Sequence, residues 1–411
     1  LQPDMVGISA LTAEAQAAEL CARWVKQWNP GTPVIGGGPH ASHFPDEMLA
    51  SGNIDALVLG EGEETTVELA ELILGQGPKW RRPEHLATIR GLAFPGGASE
   101  PRLPIADLDA LPFPAWDLVD LKRYWRLPSM STLGIRPYMP LFTSRGCPYR
   151  CIYCHNMFGK KFRARSPESV IAEVAEIKSR FGVSDLEVLD DIANLDRGRL
   201  HDLLEGMLVR DLHPTLSFPN GVRTDLLDRE TVDLLQQVGA GEISVAVETA
   251  SPRLQKLIGK NLDLDKVARN IELLAQSRVL TRGFFMLGFP SETAAEMRAT
   301  IDYACRSPLH LALFFTVAPF KGTELHRIYE DTGQIPPDLK NIDYEYYGAP
   351  FNGSDVPDWK FRMLYRYAYA RFYSLPSRTW RMMRDRPYYG DLPRRAFNML
   401  RNVSSFRRLR E

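Results

Sequence analysis

The chain has few cysteines and no hydrophobic run long enough to cross a bilayer. Its longest apolar stretch, around residues 309–320, is shorter than the roughly 20 residues of a membrane helix, and we find no basic-then-apolar secretory segment. Five cysteines, three of them clustered, predict ligand chemistry rather than a disulfide framework. We therefore expect a cytoplasmic protein, and its 411 residues predict two or three domains.

The chain also has no large excess of basic or acidic residues, but its net charge of −1 is distributed unevenly. Residues 359–411 contain 14 Lys and Arg against 3 Asp and Glu, which gives this tail a net charge of +11. Arginines alternate with aromatic residues there, and we predict a helical cap whose aromatics pack inward. Stacking on RNA and docking on anionic lipid are the alternatives. We expect no nucleic-acid partner and leave peripheral membrane contact open.

Three cysteines, Cys147, Cys151 and Cys154, form a C-x3-C-x2-C run. Three thiolates at this spacing can bind one face of an iron–sulfur cube, which leaves one iron open for another ligand. Structural zinc is the alternative, but it usually takes four ligands in two separated pairs. The sequence has no second C-x2-C and no H-x3-H, and His155 follows Cys154 too closely to share one tetrahedral ion with it.

With an aromatic residue, Tyr153, before its last cysteine, this run resembles the signature of the radical SAM superfamily. The resemblance implies a 4Fe–4S cluster whose open iron binds S-adenosylmethionine (SAM). It also implies reductive cleavage of SAM to a 5′-deoxyadenosyl radical, with electrons from an external donor such as flavodoxin or ferredoxin. In the family, the residue at the position of Tyr153 lies near the adenine.

The first 78 residues alternate short apolar strands, at 5–9, 33–35 and 56–59, with amphipathic helices. This alternation predicts a doubly wound, Rossmann-like parallel sheet. Ligands of such sheets bind beyond the carboxyl ends of the strands. Three loops lie there, Ser9 to Leu11, Gly36-Gly37-Gly38 and Gly60-Glu61-Gly62, and their glycines let the backbone approach a bulky ligand.

A nicotinamide cofactor is disfavoured because G-x-G-x-x-G follows none of these strands. The S-x-L at Ser9, with glycines 27 residues later, instead resembles the cobalamin-binding module found in one radical SAM subgroup. The resemblance assigns the nucleotide tail of cobalamin to Ser9, Leu11, Gly36, Gly37 and Gly38, with Gly60, Glu61 and Gly62 as a further match. The D-x-H-x-x-G that supplies a cobalt ligand would precede Leu1, and we expect missing elements there. A Rossmann-like domain without its ligand is the alternative.

Residues 138–335 contain six predicted strands, each followed by a helical stretch, which predicts a partial (β/α)6 TIM-like barrel. Polar residues follow several strands, and the resemblance assigns SAM contacts to Asp190, Arg223, Glu248 and Gly288. Loop capping is the alternative for Asp190, and a salt bridge to a neighbouring loop is the alternative for Arg223. We expect Glu292 to cap a helix.

We therefore predict an α/β chain with an N-terminally incomplete cobalamin-binding domain (1–78), a linker (79–137), a radical SAM core (138–350) and a helical C-terminal cap (351–411). The resemblance implies methylation of an unactivated carbon or phosphorus in a small-molecule substrate. Oxidative cyclisation or rearrangement, with cobalamin but without methyl transfer, is one alternative. A non-catalytic cobalamin or iron–sulfur binding protein is the other. The sequence identifies no catalytic side chain and no particular substrate.

Overall fold

The computed structural model describes residues 2–335, apart from 135 and 156, and residues 351–385. The chain divides into two units. The first comprises residues 2–106, Tyr153–Gly159 and 318–335, and the second comprises Asp107–Ile152, Lys160–Val317 and 351–385. The rest of the predicted C-terminal cap, residues 386–411, lies outside the described residues.

The first unit contains a five-stranded sheet in sequential order. Its strands are β1 (Val6–Ser9), β2 (Val34–Gly37), β3 (Ala56–Val58), β4 (Leu92–Phe94) and β5 (Gly97–Ala98). The first three are parallel, and the last two are antiparallel to their neighbours. Its helices are α1 (Ala15–Trp28), α2 (Gly38–His43), α3 (Pro45–Leu49), α4 (Glu63–Gln76), α5 (Pro83–Leu86) and α13 (Glu324–Asp331), with 3₁₀ turns at Thr12–Glu14 and Gly77–Arg81.

Part of the predicted linker belongs to this first sheet. β4 and β5 pair beside β3, and Trp80, Leu92 and Phe94 are buried in the core of the first unit. Strands of two or three residues are too short to show a hydrophobic period, so the prolines between residues 79 and 137 dominated the sequence pattern. The segment between residues 79 and 137 therefore adds two strands to the first sheet and also connects the two units along the chain.

The second unit contains six parallel strands in sequential order, so the α/β class is confirmed. They are β6 (Met139–Leu141), β9 (Asp185–Val188), β10 (Thr215–Val222), β11 (Ala240–Glu248), β12 (Leu280–Leu287) and β13 (Leu311–Thr316). Between them lie α7 (Pro167–Phe181), α8 (Arg197–Val209), α9 (Arg229–Val238), α10 (Pro252–Leu257), α11 (Leu264–Gln276) and α12 (Ala294–Arg306). Because the strands are parallel, their carboxyl ends lie at the same edge of the sheet. The polar residues that the sequence analysis assigned to SAM follow the strands at this edge.

The remaining elements of the second unit precede or flank this sheet. A short helix α6 (Leu121–Tyr124) lies before it, with 3₁₀ turns at Leu108–Ala110, Trp116–Leu118 and Thr224–Leu226. A two-stranded antiparallel ribbon, β7 (Ser144–Arg145) with β8 (Arg163–Ala164), follows β6. The ribbon joins the two ends of the stretch that contains the cysteine run, so the run forms a closed loop.

Helices α14 (Asp358–Tyr373) and α15 (Pro376–Asp385) complete the described chain. The Tyr369 hydroxyl accepts the Phe314 N–H (3.1 Å) and donates to the Phe314 carbonyl (2.9 Å). Tyr373 makes the same pair of bonds to Ala312. The two hydroxyls thus satisfy backbone groups of the edge strand β13, which has no neighbouring strand on that side among the described residues. Among the described helices, none combines the length and apolarity needed to span a membrane.

Candidate functional site

Buried Asp190 fixes the start of the cysteine loop. One carboxylate oxygen accepts the Thr143 N–H (2.7 Å), and the other accepts the hydroxyls of Thr143 (2.6 Å) and Ser144 (2.5 Å). The next residue, Asp191, accepts the N–H of Gly146 at 3.0 Å. Burial raises the pKa of both carboxyl groups. The geometry matches the loop-capping alternative for Asp190, because both of its oxygens are already engaged by the loop.

The middle of the cysteine loop is attached to the turn after α10. The Ile152 N–H donates to the Ile258 carbonyl at 3.1 Å. Next to it, a Cβ on Gly259 would lie 2.6 Å from the Arg150 carbonyl oxygen, so only glycine permits this approach. Lys160 donates to the Tyr149 carbonyl at 2.6 Å. These contacts fix the loop backbone on both sides of Cys151.

None of the three cysteines of the run forms a disulfide. Cys147 and Cys151 are half-buried and Cys154 is exposed. Burial raises the pKa of Cys147, and the Tyr149 N–H, which hydrogen-bonds its sulfur, opposes that shift. The thiol of Cys151 also contributes to the raised pKa of Cys147. Three thiols have the donor chemistry of an iron–sulfur cluster with three protein ligands, although among the described residues no three His, Cys, Asp or Glu side chains converge as a metal site.

Two predicted residues, Cys154 and Tyr153, belong to the segment Tyr153–Gly159, which groups with the first unit. The Cys154 thiol donates to the carbonyl of His155 at 3.2 Å, and Tyr153 is half-buried. The ring of His155 lies 4.9 Å from that of His43, between centroids. Burial lowers the pKa of His155 to about 4, so its ring is neutral near pH 7.

Arg223 stacks on the cysteine loop. Its guanidinium lies 3.7 Å from the centre of the Tyr149 ring and pairs with Asp225, with a nitrogen–oxygen distance of 3.0 Å. It also donates to the carbonyl of Lys260 at 3.0 Å. The salt bridge is therefore made within one loop, while the contacts with neighbouring loops are the hydrogen bond to Lys260 and the cation–π contact with Tyr149. The arginine therefore links the loop after β10 to the loop that carries the cysteines.

Glu248 ends β11 in an unusual conformation. Its φ is 64°, in the left-handed region, which costs a residue with a Cβ roughly 1–3 kcal/mol. Its carboxylate is buried and pairs with Lys260 at 2.8 Å. The sequence missed Lys260, which follows twelve positions later in a loop, although a buried glutamate implies a cationic partner. Glu248, which the sequence analysis assigned to SAM, thus combines backbone strain with a buried ion pair.

The turn after β12 is organised by Glu292. One carboxylate oxygen accepts the N–H groups of Gly288 (2.6 Å) and Phe289 (3.0 Å), while the other has no hydrogen-bond partner among the described residues. Burial raises the pKa of Glu292 to about 8. The expectation that Glu292 caps a helix is corrected here, because α12 is capped by Thr293 with Glu296. Glu292 instead fixes the Gly288 turn, whose φ of 102° requires glycine.

In the first unit, the predicted glycine loops lie at the carboxyl ends of β1, β2 and β3. Ser9 is paired with Gly37 across the two strands. A Cβ on Gly38 (φ 84°) would come within 2.6 Å of the Ser9 hydroxyl oxygen, and one on Gly36 would lie 2.5 Å from a methyl of Leu57. Gly60 has a φ of 71° and open space beside it. These glycines permit close backbone packing at an edge that is left accessible, as a bulky ligand requires.

Further residues complete this edge. Glu61 accepts the N–H of Ile105 at 3.0 Å, Gly62 begins α4 as its N-cap residue, and Leu11 is exposed. The sequence missed Ser42, whose hydroxyl donates to the Gly38 carbonyl (3.0 Å) and accepts the Gly60 N–H (2.9 Å). It also missed His40, whose Nδ1 is buried without a partner among the described residues. An orphaned buried nitrogen beside a glycine edge fits a site for a polar ligand.

Comparison with known proteins identifies both units. The family model of the radical SAM superfamily matches residues 141–304, which contain the cysteine loop and the Asp190, Arg223, Glu248 and Gly288 positions. The family model of the B12 binding domain matches residues 1–70, which contain the three glycine loops.

The chain also resembles curated and solved proteins. It is 30% identical to an uncharacterized methyltransferase of Pyrococcus horikoshii, over 79% of this chain and 68% of the relative. It is also 30% identical to the cytidylyl-2-hydroxyethylphosphonate methyltransferase of Streptomyces wedmorensis, over 82% and 68%. An anaerobic magnesium-protoporphyrin IX monomethyl ester cyclase of Rubrivivax gelatinosus is 27% identical, over 87% and 63%. The chain thus spans about two thirds of the length of these relatives.

Among solved structures, the radical SAM methyltransferase TsrM of Kitasatospora setae aligns with a TM-score of 0.66 at 21% identity, over 82% of this chain and 66% of that one. The cobalamin-dependent enzyme OxsB aligns with a TM-score of 0.60 at 17% identity, over 86% and 50%. At these identities the alignments show a shared fold. With the family models and the relatives at 30% identity, they lead to one conclusion: the chain belongs to the cobalamin-dependent subgroup of the radical SAM superfamily, enzymes whose cofactors are a 4Fe–4S cluster, SAM and cobalamin.

Proposed function

We propose that this enzyme transfers a methyl group to an unactivated carbon or phosphorus atom of a small molecule. The observation that carries the proposal is the cysteine run on the loop that follows β6, at the carboxyl end of a parallel sheet, where Asp190 and the β7–β8 ribbon fix its start. Three thiolates leave one iron of a cluster for SAM. The two relatives at 30% identity are both named as methyltransferases, which supports methyl transfer over other radical chemistry.

Each cofactor has a proposed set of residues. We assign the cluster to Cys147, Cys151 and Cys154, and cobalamin to the loops after β1, β2 and β3. We further propose that the six-stranded sheet curves as a partial (β/α)6 barrel and that the first sheet is a Rossmann-like module centred on residues 1–78. When bound, the cluster and SAM supply the radical and cobalamin supplies the methyl group.

The side chains at the carboxyl end of β11 and β12 have binding and positioning roles in this proposal. The Glu248 carboxylate accepts hydrogen bonds from the SAM amino group or ribose, and Lys260 orients it through their 2.8 Å contact. Glu292 holds the Gly288 turn in the shape that faces the adenine. Because both carboxylates are fixed before SAM arrives, binding costs little reorganisation.

The loop after β10 has a related role. Arg223 stacks on Tyr149 and so restrains the cysteine loop between its first two ligands. Its predicted contact with the SAM carboxylate requires the guanidinium to present a second edge, since Asp225 already occupies one. Tyr153 and Asp190 complete the proposed shell, with Asp190 acting through Thr143 and Ser144 rather than by touching SAM. We propose a flavodoxin or ferredoxin as electron donor.

The decisive experiment is anaerobic incubation of reconstituted enzyme with SAM and a chemical reductant, followed by product analysis. We expect 5′-deoxyadenosine, which reports radical formation, and S-adenosylhomocysteine, which reports methyl transfer through cobalamin. Cys151→Ala should lose the cluster absorbance, most of the iron and both products while retaining cobalamin affinity. Cys21→Ala, which changes an exposed cysteine of α1 outside the run, is the matched control and should retain all of them.

Two outcomes would contradict the proposal. Unchanged iron content in Cys151→Ala would remove the ligand assignment. Absence of both products from enzyme loaded with cluster and cobalamin, tested with small-molecule substrates of the relatives, would favour a non-catalytic binding protein. A second candidate function is oxidative ring closure, which the 27% identity to the Rubrivivax gelatinosus cyclase supports. Ring closure predicts 5′-deoxyadenosine without S-adenosylhomocysteine.

A further inference from the structure

Helix α14 presents large apolar side chains to solvent. Six exposed residues lie at i, i+3, i+4, i+7, i+8 and i+11 and therefore share one side of the helix. We call this side the α14 outer face, and its members are Trp359, Arg362, Met363, Arg366, Tyr367 and Ala370. Trp359 is 69% exposed, Met363 47% and Tyr367 44%. A contiguous stripe of this kind, unlike a single exposed apolar residue, indicates an interaction surface.

The opposite side of α14 fixes the orientation of this face. Phe361, Leu364, Ala368 and Phe372 are buried in the core of the second unit. The hydroxyls of two further α14 residues, Tyr369 and Tyr373, hydrogen-bond to β13 as described above. The helix cannot rotate to bury its outer face without breaking these contacts. The exposure is therefore a property of the packed fold.

Helix α15 has a similar arrangement. Trp380, 63% exposed, and Met383 lie on its outer side, with Arg384 beside them. Its inner side is anchored by Arg378, which donates to the carbonyl of Leu309 at 2.7 Å. Both helices thus combine a buried anchor with an outer surface of tryptophan, methionine and arginine.

A cavity of about 380 Å³ beside α15 is lined by three arginines. Arg381 and Arg384 come from α15 and Arg278 from the turn after α11, while Glu272 is the acidic residue of the lining. Arg384 also pairs with Asp385 at 2.6 Å, so Arg278 and Arg381 supply the net positive charge at this cavity. On α14, the outer face contains two arginines, and the single acidic residue of that helix, Asp358, lies in its first turn.

We propose that α14 and α15 form a docking surface for anionic phospholipid, with the apolar side chains entering the interface and the arginines binding headgroup phosphates. Tryptophan and tyrosine favour the boundary between lipid and water, and each arginine near an anionic leaflet strengthens binding about fivefold. Single-stranded RNA fits less well, because it binds in grooves lined by stacking platforms, whereas the α14 outer face is the convex side of a helix.

Co-sedimentation with vesicles tests this docking surface directly. Full-length protein loaded with its cofactors is mixed with vesicles of phosphatidylcholine and phosphatidylglycerol, or of phosphatidylcholine alone. We expect binding to the mixed vesicles that weakens as salt is raised, and at least tenfold weaker binding to phosphatidylcholine alone. Because the readout is binding, it is independent of the proposed methyl transfer.

Paired variants separate the contributions. Arg362→Glu with Arg366→Glu should weaken binding to mixed vesicles by about 25-fold or more, since each arginine contributes about fivefold. Lys79→Glu with Arg82→Glu makes the same charge change on an exposed segment of the first unit and should weaken it less than threefold. Trp359→Ala with Met363→Ala should weaken binding at least tenfold, and Trp24→Ala with Leu74→Ala, two exposed residues of the first unit, should not. Iron content and circular dichroism verify folding.

Three results would overturn the proposal. The first is no binding to mixed vesicles at low salt. The second is equal loss of binding in the α14 variants and their first-unit controls, which would indicate non-specific attraction. The third is binding of single-stranded RNA that the α14 variants abolish while vesicle binding is unchanged, which would assign the face to nucleic acid.

Discussion

At the amino end of the six-stranded sheet, the buried carboxylates Glu187 and Glu242 each face a buried arginine. Arg136 approaches Glu187 at 3.5 Å and Arg282 approaches Glu242 at 3.2 Å. At the carboxyl end, Asp190 and Glu292 are just as buried but are bound by N–H and O–H donors instead of cations. These two pairs of carboxylates are therefore stabilised in different ways, although a third buried carboxylate at the carboxyl end, Glu248, also pairs with a cation, Lys260.

The amino end is organised as one layer. Ser217 is in register with Glu187 on one side and with Glu242 on the other, so the three side chains lie side by side on one face. Residues 129–134 cover them, where the N–H of Ser131 donates to Glu187 (3.3 Å) and that of Thr132 to Glu242 (2.6 Å). Each carboxylate thus has a cation and a backbone donor, an arrangement that serves the stability of the sheet.

The carboxyl end has features that stability alone does not require. Glu248 and Ser291 have left-handed backbone conformations, with φ of 64° and 58°. Glu292 leaves one oxygen without a hydrogen-bond partner in the described part of the chain. Strain and incomplete pairing of this kind concentrate at binding sites, because the rest of the fold stabilises them. Similar features occur at the other end, because Asp211 and Arg278, which precede β10 and β12, are also left-handed, and one Glu242 oxygen also lacks a hydrogen-bond partner among the described residues. We therefore assign ligand binding to the carboxyl end because the cysteine loop follows β6 there and because parallel β/α sheets bind ligands at that end.

Among the variants proposed here, removing a cation at the amino end should lower the free energy of unfolding most. Arg282→Met leaves Glu242 buried beside its backbone donor but without a counter-charge, which should lower the free energy of unfolding by about 3–5 kcal/mol. Urea unfolding followed by circular dichroism measures this. Arg197→Met, which removes an exposed pair with Asp228 and Glu230, is the control and should lower the free energy of unfolding much less, because exposed ion pairs contribute little. Equal losses in the two variants would contradict the role of the amino-end layer.

The carboxyl end should respond to pH through Glu292. Its pKa is about 8 in the folded protein, against the ordinary glutamate value of 4.5, so the folded state keeps a proton that the unfolded state releases. The free energy of unfolding therefore falls as pH rises from about 4.5 to about 8, by about 1.4 kcal/mol for each pH unit. Glu292→Gln mimics the protonated acid and should remove this slope, which urea unfolding at pH 6 and pH 8 would detect.

Glu296 provides the control for this pH effect. Hydrogen bonding to Arg253 lowers its pKa to about 2, the opposite sign. Its own contribution is present above the unfolded pKa and disappears only as pH falls toward 2. Glu296→Gln should therefore keep a pH slope, moved to lower pH because the charge of Glu296 no longer raises the pKa of Glu292. Glu296 and Arg253 are the charged groups that act on Glu292. If the free energy of unfolding of Glu292→Gln keeps the wild-type dependence on pH, Glu292 does not hold this proton in the folded protein.

The affinity for SAM should depend on the carboxyl end of the sheet and not on the amino end. Glu248→Gln removes the charge from a proposed SAM contact and should weaken SAM binding by about tenfold, the effect of one hydrogen bond to a charged group. Glu187→Gln is the matched change at the amino end and should reduce stability without changing SAM affinity. Equilibrium dialysis of the cluster-loaded variants against SAM measures both. Weaker SAM binding in Glu187→Gln alone would reverse the assignment of the ends.

Much of this site could be predicted from the sequence because its signals are local. The cysteine run and the glycine loops are short motifs, and the six strands are apolar runs that end in polar residues. Two partners were not predictable in this way. Lys260 meets Glu248 and Arg282 meets Glu242 only once the chain folds, since the first contact depends on the path of the loop after α10 and the second on the register of β11 with β12. A charged residue within an apolar strand was the available signal, because burial without a partner is costly.

Local patterns also misled where two interpretations fit one stretch. Glu292 precedes a helix in the sequence, which is typical of a cap, but the hydroxyl of Thr293 takes that role and leaves the carboxylate to the turn. For Asp190 and Arg223, ligand contact and loop anchoring require the same residue types. The structure shows contacts with Thr143 and Asp225, which agree with loop anchoring, and ligand contact stays a prediction.

The smallest effect should come from the middle of the amino-end layer. Ser217 is fully buried, and its hydroxyl has no hydrogen-bond partner among the described residues, although it lies between two carboxylates. Removing an unsatisfied hydroxyl removes its desolvation cost, so Ser217→Ala should change the free energy of unfolding by less than about 0.5 kcal/mol or raise it slightly. A urea midpoint that falls by the equivalent of about 1 kcal/mol or more would mean that this hydroxyl does bridge the two carboxylates. The amino end would then depend on hydrogen bonding as much as the carboxyl end does.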